Sequence, residues 1–202
     1  MATPIERPLY PVKESASQTA GPYVHIGLTP NFCGITGVYD TDLGATMVTD
    51  QTKGERITLE GRVFDGGGYL LTDALVEIWQ ADADGIYHQT AESDFSGWGR
   101  APAHAETGIF RFETVKPGRV AFPDGRMQAP HINVWIAARG INLGLNTRIY
   151  FDDEAEANAA DPVLGRIEHR DRVTTLIARR DGNSYIHDIH LQGPQETVFF
   201  DI

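Results

Sequence analysis

The chain has 202 residues, 41% apolar and 22% charged, enough for one domain with an extension or two small domains around a sizeable core. A net charge of −11 with no basic run excludes a general nucleic-acid binder, so an anionic substrate would need a local cation to hold it. The single cysteine, Cys33, excludes an internal disulfide and a thiolate metal cluster, and reads as a small half-buried residue.

The first eighteen residues contain no apolar core of a signal peptide, and no later run is long enough to span a membrane, so a cytoplasmic protein without membrane association is expected. Residues 1–55 are rich in Pro, Gly, Thr and Ser and are expected to form an N-terminal arm that packs on the body and on a partner chain. Within it, "SQTAGPYVHIGL" turns at Gly21-Pro22, after which Tyr23, His25 and Gly27 alternate with Val24, Ile26 and Leu28.

From residue 56 to 202 the period is two, and an all-β sandwich is expected. "RITLEGRVFD" is a strand that runs into a turn at Gly66-Gly67-Gly68. The next stretch, "YLLTDALVEIWQAD", puts Leu75, Glu77 and Trp79 on one face and Ala74, Val76 and Ile78 on the other. "GIFRFETV" is closed by Lys116-Pro117-Gly118, and "HINVWIAA", "NTRIYF", "SYIHDIHLQG" and "TVFFDI" complete the strands. Short helices are expected only at 152–161 and around 166–177. The first opens on acids, which suits a helix N-terminus and reads as a solvated surface.

Seven histidines stand at 25, 88, 104, 131, 169, 187 and 190, without the spacing of a zinc finger or an HExxH helix. His187 and His190 are expected on opposite faces of a strand as surface or hydrogen-bonded residues. No phosphate-binding loop, dinucleotide fingerprint or G-x-S-x-G elbow occurs. In "APHINVWIAARG", His131, Asn133, Trp135 and Ala137 share one strand face. Histidines at both 131 and 133 would aim two imidazoles at one point, but the second is an amide.

Residues 59–87, "LEGRVFDGGGYLLTDALVEIWQADADGIY", resemble the signature of the intradiol ring-cleavage dioxygenases. The matching positions are Leu59, Gly61, Val63, Gly68, Leu71, Val76-Glu77-Ile78, Gly85 and Tyr87. The resemblance continues through "TVKPG", "APHIN", "RIYFDDEAEAN" and "ETVFFDI", and looks closest to the α subunit of the family's heteromeric members. It implies a β-sandwich and a non-haem Fe(III) held by two tyrosines and two histidines, with no organic cofactor. It also implies intradiol cleavage of protocatechuate by O2 to 3-carboxy-cis,cis-muconate. Phenolates are hard anionic donors suited to the ferric state.

Carried over residue by residue, Tyr87 takes the place of the first tyrosine ligand and Val120 that of the second, while His131 and Asn133 take those of the histidine pair. No tyrosine or histidine lies between Ala105 and Pro130 to replace the missing one. The retained positions resemble the family's equatorial pair and the lost ones its axial pair. The resemblance therefore implies vestigial ligand positions at Tyr87, Val120, His131 and Asn133, no metal in this chain, and no catalytic residues in this chain alone. It implies Fe(III) in a homologous β subunit, within a higher-order αβ oligomer. It further implies that Thr19, Gly21, Pro22 and Tyr23, with Arg139, line that partner's substrate pocket, the guanidinium matching the planar carboxylate. Two other readings stand beside it: a homomeric intradiol enzyme that borrows His104 or Tyr23 as a ligand, and a non-enzymatic binding module.

Overall fold

A computed structural model describes residues 19–88, 93–142 and 144–201. The first eighteen residues of the expected arm lie outside the described residues. The strands are β1 (Arg56–Gly61), β2 (Val63–Phe64), β3 (Leu75–Gln80), β4 (Trp98–Pro102), β5 (Phe110–Val115) and β6 (Val120–Ala121). They continue with β7 (Met127–Gln128), β8 (His131–Ala137), β9 (Leu145–Phe151), β10 (Ile177–Asp181), β11 (Ser184–Ile186) and β12 (Ile189–His190). The helices are α1 (Pro22–Leu28) and α2 (Ala155–Ala160), with 3-10 turns at Asp152–Glu154, Leu164–Arg166 and Arg170–Leu176.

Alternation drives the assembly: β1 buries Ile57, Leu59 and Gly61 and turns Thr58 and Glu60 outward. Eight strands form one sheet in the order β4-β3-β8-β9-β10-β11-β1-β5. The two end strands, β4 and β5, also pack on each other, so the sheet folds back and nearly closes. Its inner face holds a core that includes Leu59, Ile78, Phe110, Phe112, Ile136, Phe151 and Tyr185. Each such side chain contributes roughly 1.5–3 kcal/mol when fully buried. A second cluster, Ala129, Tyr150, Leu164 and Leu176, seals the outer face of β9 under the turns that follow α2.

Two glycines of the family signature have steric causes. A Cβ on Gly61 would stand 1.8 Å from the His187 carbonyl oxygen, where the chain after β11 crosses the end of β1. A Cβ on Gly85 would stand 2.1 Å from the Arg119 carbonyl, and its φ of +81° is in the left-handed region.

Four expectations change. The alternation after Gly21 belongs to a helix rather than an extended segment. Gly21 is extended at the N-cap, Pro22 occupies the first turn where its missing N–H costs nothing, and the Thr29 N–H closes the helix on the His25 carbonyl. The acids at 152–154 are paired instead of merely solvated. Asp153 accepts hydrogen bonds from Lys116, Arg180 and the Tyr185 hydroxyl at 2.9, 2.7 and 2.8 Å. Burial pushes its carboxyl up, but these donors outweigh burial and hold it at about 2. His187 is buried, and its Nε2 has no hydrogen-bond partner among the described residues, because the crossing at Gly61 encloses it. Cys33 is exposed, since it lies in a turn beyond α1.

Residues 29–55 lie against the body: Met47 joins the main core, and Arg100 donates from its backbone to Gly44 and from its guanidinium to Leu28.

Candidate functional site

The first residue of β8 is His131. Its Nδ1 lies 2.8 Å from the Ala129 carbonyl, so Nδ1 carries the proton and Nε2 is left as an acceptor. Two residues on, Asn133 pairs in register with Trp79 of β3 and Arg148 of β9. Tyr87 arrives from the loop after β3. Asp82 fixes that loop by accepting the Asp84 and Ile86 N–H groups on Oδ1 and pairing with His88 through Oδ2 at 2.6 Å.

These elements bring three of the four positions expected to be vestigial ligands together. The Tyr87 ring stacks on Trp79 with centroids 6.0 Å apart. Asn133 Nδ2 donates to the Tyr87 hydroxyl and to the Trp79 carbonyl, both at 3.0 Å. The carbonyl acceptor fixes which end of the amide is which. The Tyr87 hydroxyl lies 3.4 Å from His131 Nε2, the acceptor side of the ring. Val120 is half-buried in β6, opposite Gln128 of β7.

The electrostatics oppose a cation at this point. Burial first, and the nearby Arg148 guanidinium second, lower the His131 imidazole to about 4. Burial raises the Tyr87 phenol against the lowering effects of Asn133 and Arg148, so it remains a phenol. Arg148 donates Nη1 to Gln128 Oε1 at 2.8 Å and to the Tyr150 hydroxyl at 3.4 Å. Tyr150 in turn donates to Asp161, a buried carboxylate that also accepts the Ala129, Val163 and Leu164 N–H groups. A ferric ion needs anionic or lone-pair donors converging on it. Here an amide N–H converges on a neutral phenol, a guanidinium stands beside them, and Val120 offers no donor. These residues do not fit the ion.

At the far end of β8 lies a different corner. Thr19 Oγ1 accepts the Gly140 N–H at 2.7 Å and donates to the Ala138 carbonyl at 3.3 Å, clamping the turn that carries Arg139. Gly140, with φ +82°, makes that turn possible. From α1, His25 Nε2 meets the Asp73 carbonyl at 2.9 Å. The Asp73 carboxylate faces Arg139 Nε at 3.6 Å. The Arg139 side chain remains 58% exposed. Gly21 and Pro22 open α1, and Tyr23 projects from it, 84% exposed. Thr19 and Arg139 are therefore in one place, with Tyr23 on the adjoining helix. The seven residues of β8 separate this corner from His131 by roughly 20 Å. Arg139 cannot serve the Tyr87–His131 cluster of its own chain.

The family model described as Dioxygenase matches residues 28–193. The chain is 46% identical over 200 residues to the protocatechuate 3,4-dioxygenase alpha chain of Pseudomonas putida, covering 96% of this chain and 99% of that one. It belongs to the intradiol dioxygenase family. A protocatechuate 3,4-dioxygenase beta chain, from Burkholderia cepacia, is 34% identical over 211 residues, covering 95% of this chain and 85% of that one. Among solved structures, the dioxygenase domain of a carbohydrate-binding fusion from Streptomyces sp. SirexAA-E superposes with a TM-score of 0.54 at 27% identity, covering 76% and 88% of the two chains.

Within this family, the borrowed ligands of a homomeric enzyme find no support in the geometry. His104 uses Nδ1 to accept the Glu106 and Thr107 N–H groups of its own turn, and Tyr23 projects from α1. Among the described residues neither hydrogen-bonds to or stacks on Tyr87 or His131. The sequence reading missed Arg148, Asp161 and Asp73. Arg148 had a signal, because in "NTRIYF" it stands at the same parity as Tyr150 on a strand due to pair with "HINVWIAA".

Proposed function

We propose that the chain is the α subunit of a heteromeric protocatechuate 3,4-dioxygenase, completing a substrate pocket whose Fe(III) belongs to a homologous β subunit. The observation that carries this reading is the state of the Tyr87–Asn133–His131 cluster, which brings together a phenol, an amide and an imidazole, a donor set unsuited to iron. The relatives named alpha and beta chains, both homologous to this one, support the pairing.

In this reading the bound Fe(III) of the partner supplies the redox chemistry that lets O2 open the ring of protocatechuate between its two hydroxylated carbons, giving 3-carboxy-cis,cis-muconate. This chain contributes recognition. Arg139 offers a guanidinium to the ring carboxylate, a planar anion that the fork geometry suits. Thr19 holds the turn of Arg139, and Gly21, Pro22 and Tyr23 form a wall of the pocket. The arm of residues 1–55 is the docking segment. It exposes Tyr23, Ile26, Phe32, Val38, Tyr39 and Leu43, an apolar set suited to a partner surface. The αβ pairs assemble into a closed, higher-order oligomer, as symmetric assemblies do. Among the described residues no helix is long and apolar enough to cross a membrane, and we place the enzyme in the cytoplasm.

The test is expression of this chain alone and together with a ligand-complete β chain. The expected result is a colourless, iron-free chain alone. With its partner, the expected product is a complex with one iron per pair and the visible Fe(III)–phenolate band. A coloured, active preparation of this chain alone would overturn the reading.

A further inference from the structure

The outer face of β3, β8 and β9 is the floor of a pocket of about 640 Å³, within the range of small-molecule sites. Trp79, Trp135 and Phe122 give it aromatic walls, and Arg148 and Arg166 give it cations. The Trp135 indole lies against Gly144, where an added Cβ would stand 1.7 Å from its Nε1.

Asp161 reaches Arg148 only through the Tyr150 hydroxyl, and Asp124 lies within the field of Arg166 without a direct contact. Arg148 spends only Nη1, on a neutral amide and a neutral phenol. Arg166 lies 5.2 Å over the Phe122 ring. Among the described residues neither forms an ion pair with a carboxylate, although Asp201 lines the same pocket. On a chain of net charge −11, two guanidiniums with no direct carboxylate contact among the described residues, in an aromatic-walled hollow, suit an anion. A guanidinium matches a carboxylate, and flat indole walls match an aromatic ring.

We propose that this pocket binds a small aromatic carboxylate as a non-catalytic ligand, with the carboxylate on Arg148, the ring against Trp79 and Trp135, and Arg166 at the mouth. The fixed guanidinium attracts an anion at a place where no metal can activate it, so the ligand is held without being turned over. The site is distinct from the Arg139 corner, at the other end of β8. It is a property of this chain and does not rest on the subunit reading.

The probe is 4-hydroxybenzoate, which carries the carboxylate and lacks the second hydroxyl needed for intradiol cleavage. Equilibrium dialysis is run on the complex of this chain with its iron-bearing partner, and the visible iron band is titrated in parallel. We expect two sites per αβ pair, one perturbing the band and one silent. R148M should abolish the silent site. R166Q, at an exposed position, should weaken it at least threefold with the iron-band titration unchanged, and phenol, the same ring without the carboxylate, should not compete for it. R166Q and the phenol competition decide the matter even if R148M fails to fold. If no iron-bearing partner exists, the silent site alone should remain on this chain. A single, band-perturbing site per pair, a silent site indifferent to R166Q, or equal competition by phenol would overturn the proposal.

Discussion

Replacing Arg139 by alanine tests the recognition role directly. The guanidinium is available to a ligand, because its one ionic partner among the described residues, Asp73, is 3.6 Å away in a half-exposed pair, and such pairs contribute only about 0.2–1 kcal/mol. A charge-assisted contact to a substrate carboxylate contributes about 1.5–3 kcal/mol. At 1.4 kcal/mol per factor of ten, its loss should raise the KM for protocatechuate roughly tenfold to a hundredfold. The carboxylate is remote from the carbons that separate, so kcat should stay within about twofold, the pattern of lost uniform binding. Oxygen uptake by the αβ complex measures both constants, and catechol, the same ring without a carboxylate, provides the control. Thr19→Val removes both hydrogen bonds that clamp residues 138–140, about 1 kcal/mol of local order, and should raise the same KM by a few-fold. An unchanged KM for protocatechuate, or an equal rise for catechol, would refute the reasoning and leave Arg139 a purely structural residue.

Asp161→Ala should destabilise the chain by about 3 kcal/mol or more, since it strips the acceptor from the Ala129, Val163 and Leu164 N–H groups and the Tyr150 hydroxyl. A urea midpoint close to that of the unmodified complex would contradict this. Asn133→His restores the second imidazole but should bind no additional iron, because Val120 and Arg148 remain. Metal analysis giving more than one iron per pair would show that the amide alone had silenced the site. Stability should also fall with acid. His131 and His187 sit at about 4 in the folded chain, lowered chiefly by burial, against an ordinary 6.5. The unfolded chain therefore binds more protons between those values. Their stabilisation is complete above pH ~6.5 and is lost as pH falls toward 4, on the order of 3 kcal/mol each. A denaturation midpoint that does not move between pH 7.5 and 4.5 would count against it.

Much of this was legible in the sequence because strand alternation is a strong local signal. β3 and β8 appear where "VEIWQ" and "HINVWIA" put them. Helix α1 was not legible: seven residues of mixed polarity after Gly-Pro alternate as well as they turn, and capping geometry decided the outcome. The pairing of Asp153 with Lys116 and Arg180, from segments far apart in the chain, depends on tertiary placement that no local pattern encodes. Neither does it encode the enclosure of His187. The two corners of β8 could be named from motifs, but only strand length shows that Arg139 and His131 cannot act on the same ligand.

On the proposed reading of Tyr87, Val120, His131 and Asn133 as former ligand positions, the same geometry gives a reason for half of them to persist. Tyr87 and His131 each have a second task. The Tyr87 ring covers Trp79 and its hydroxyl accepts from Asn133, and His131 is buried and bound to Ala129 while its ring packs near Tyr150. Removing either would open a hole or orphan a buried polar group, at a cost of about 1–3 kcal/mol whether or not a metal is present. Val120 lies in a two-strand ribbon apart from the main sheet, and the Asn133 amide donates both N–H groups to its neighbours, the Trp79 carbonyl and the Tyr87 hydroxyl. Nothing in the packing opposed losing a ligand at those positions. On the readings proposed above, the Arg148 guanidinium is a positive charge at this end of the sheet that suits an anion where those residues do not suit a metal.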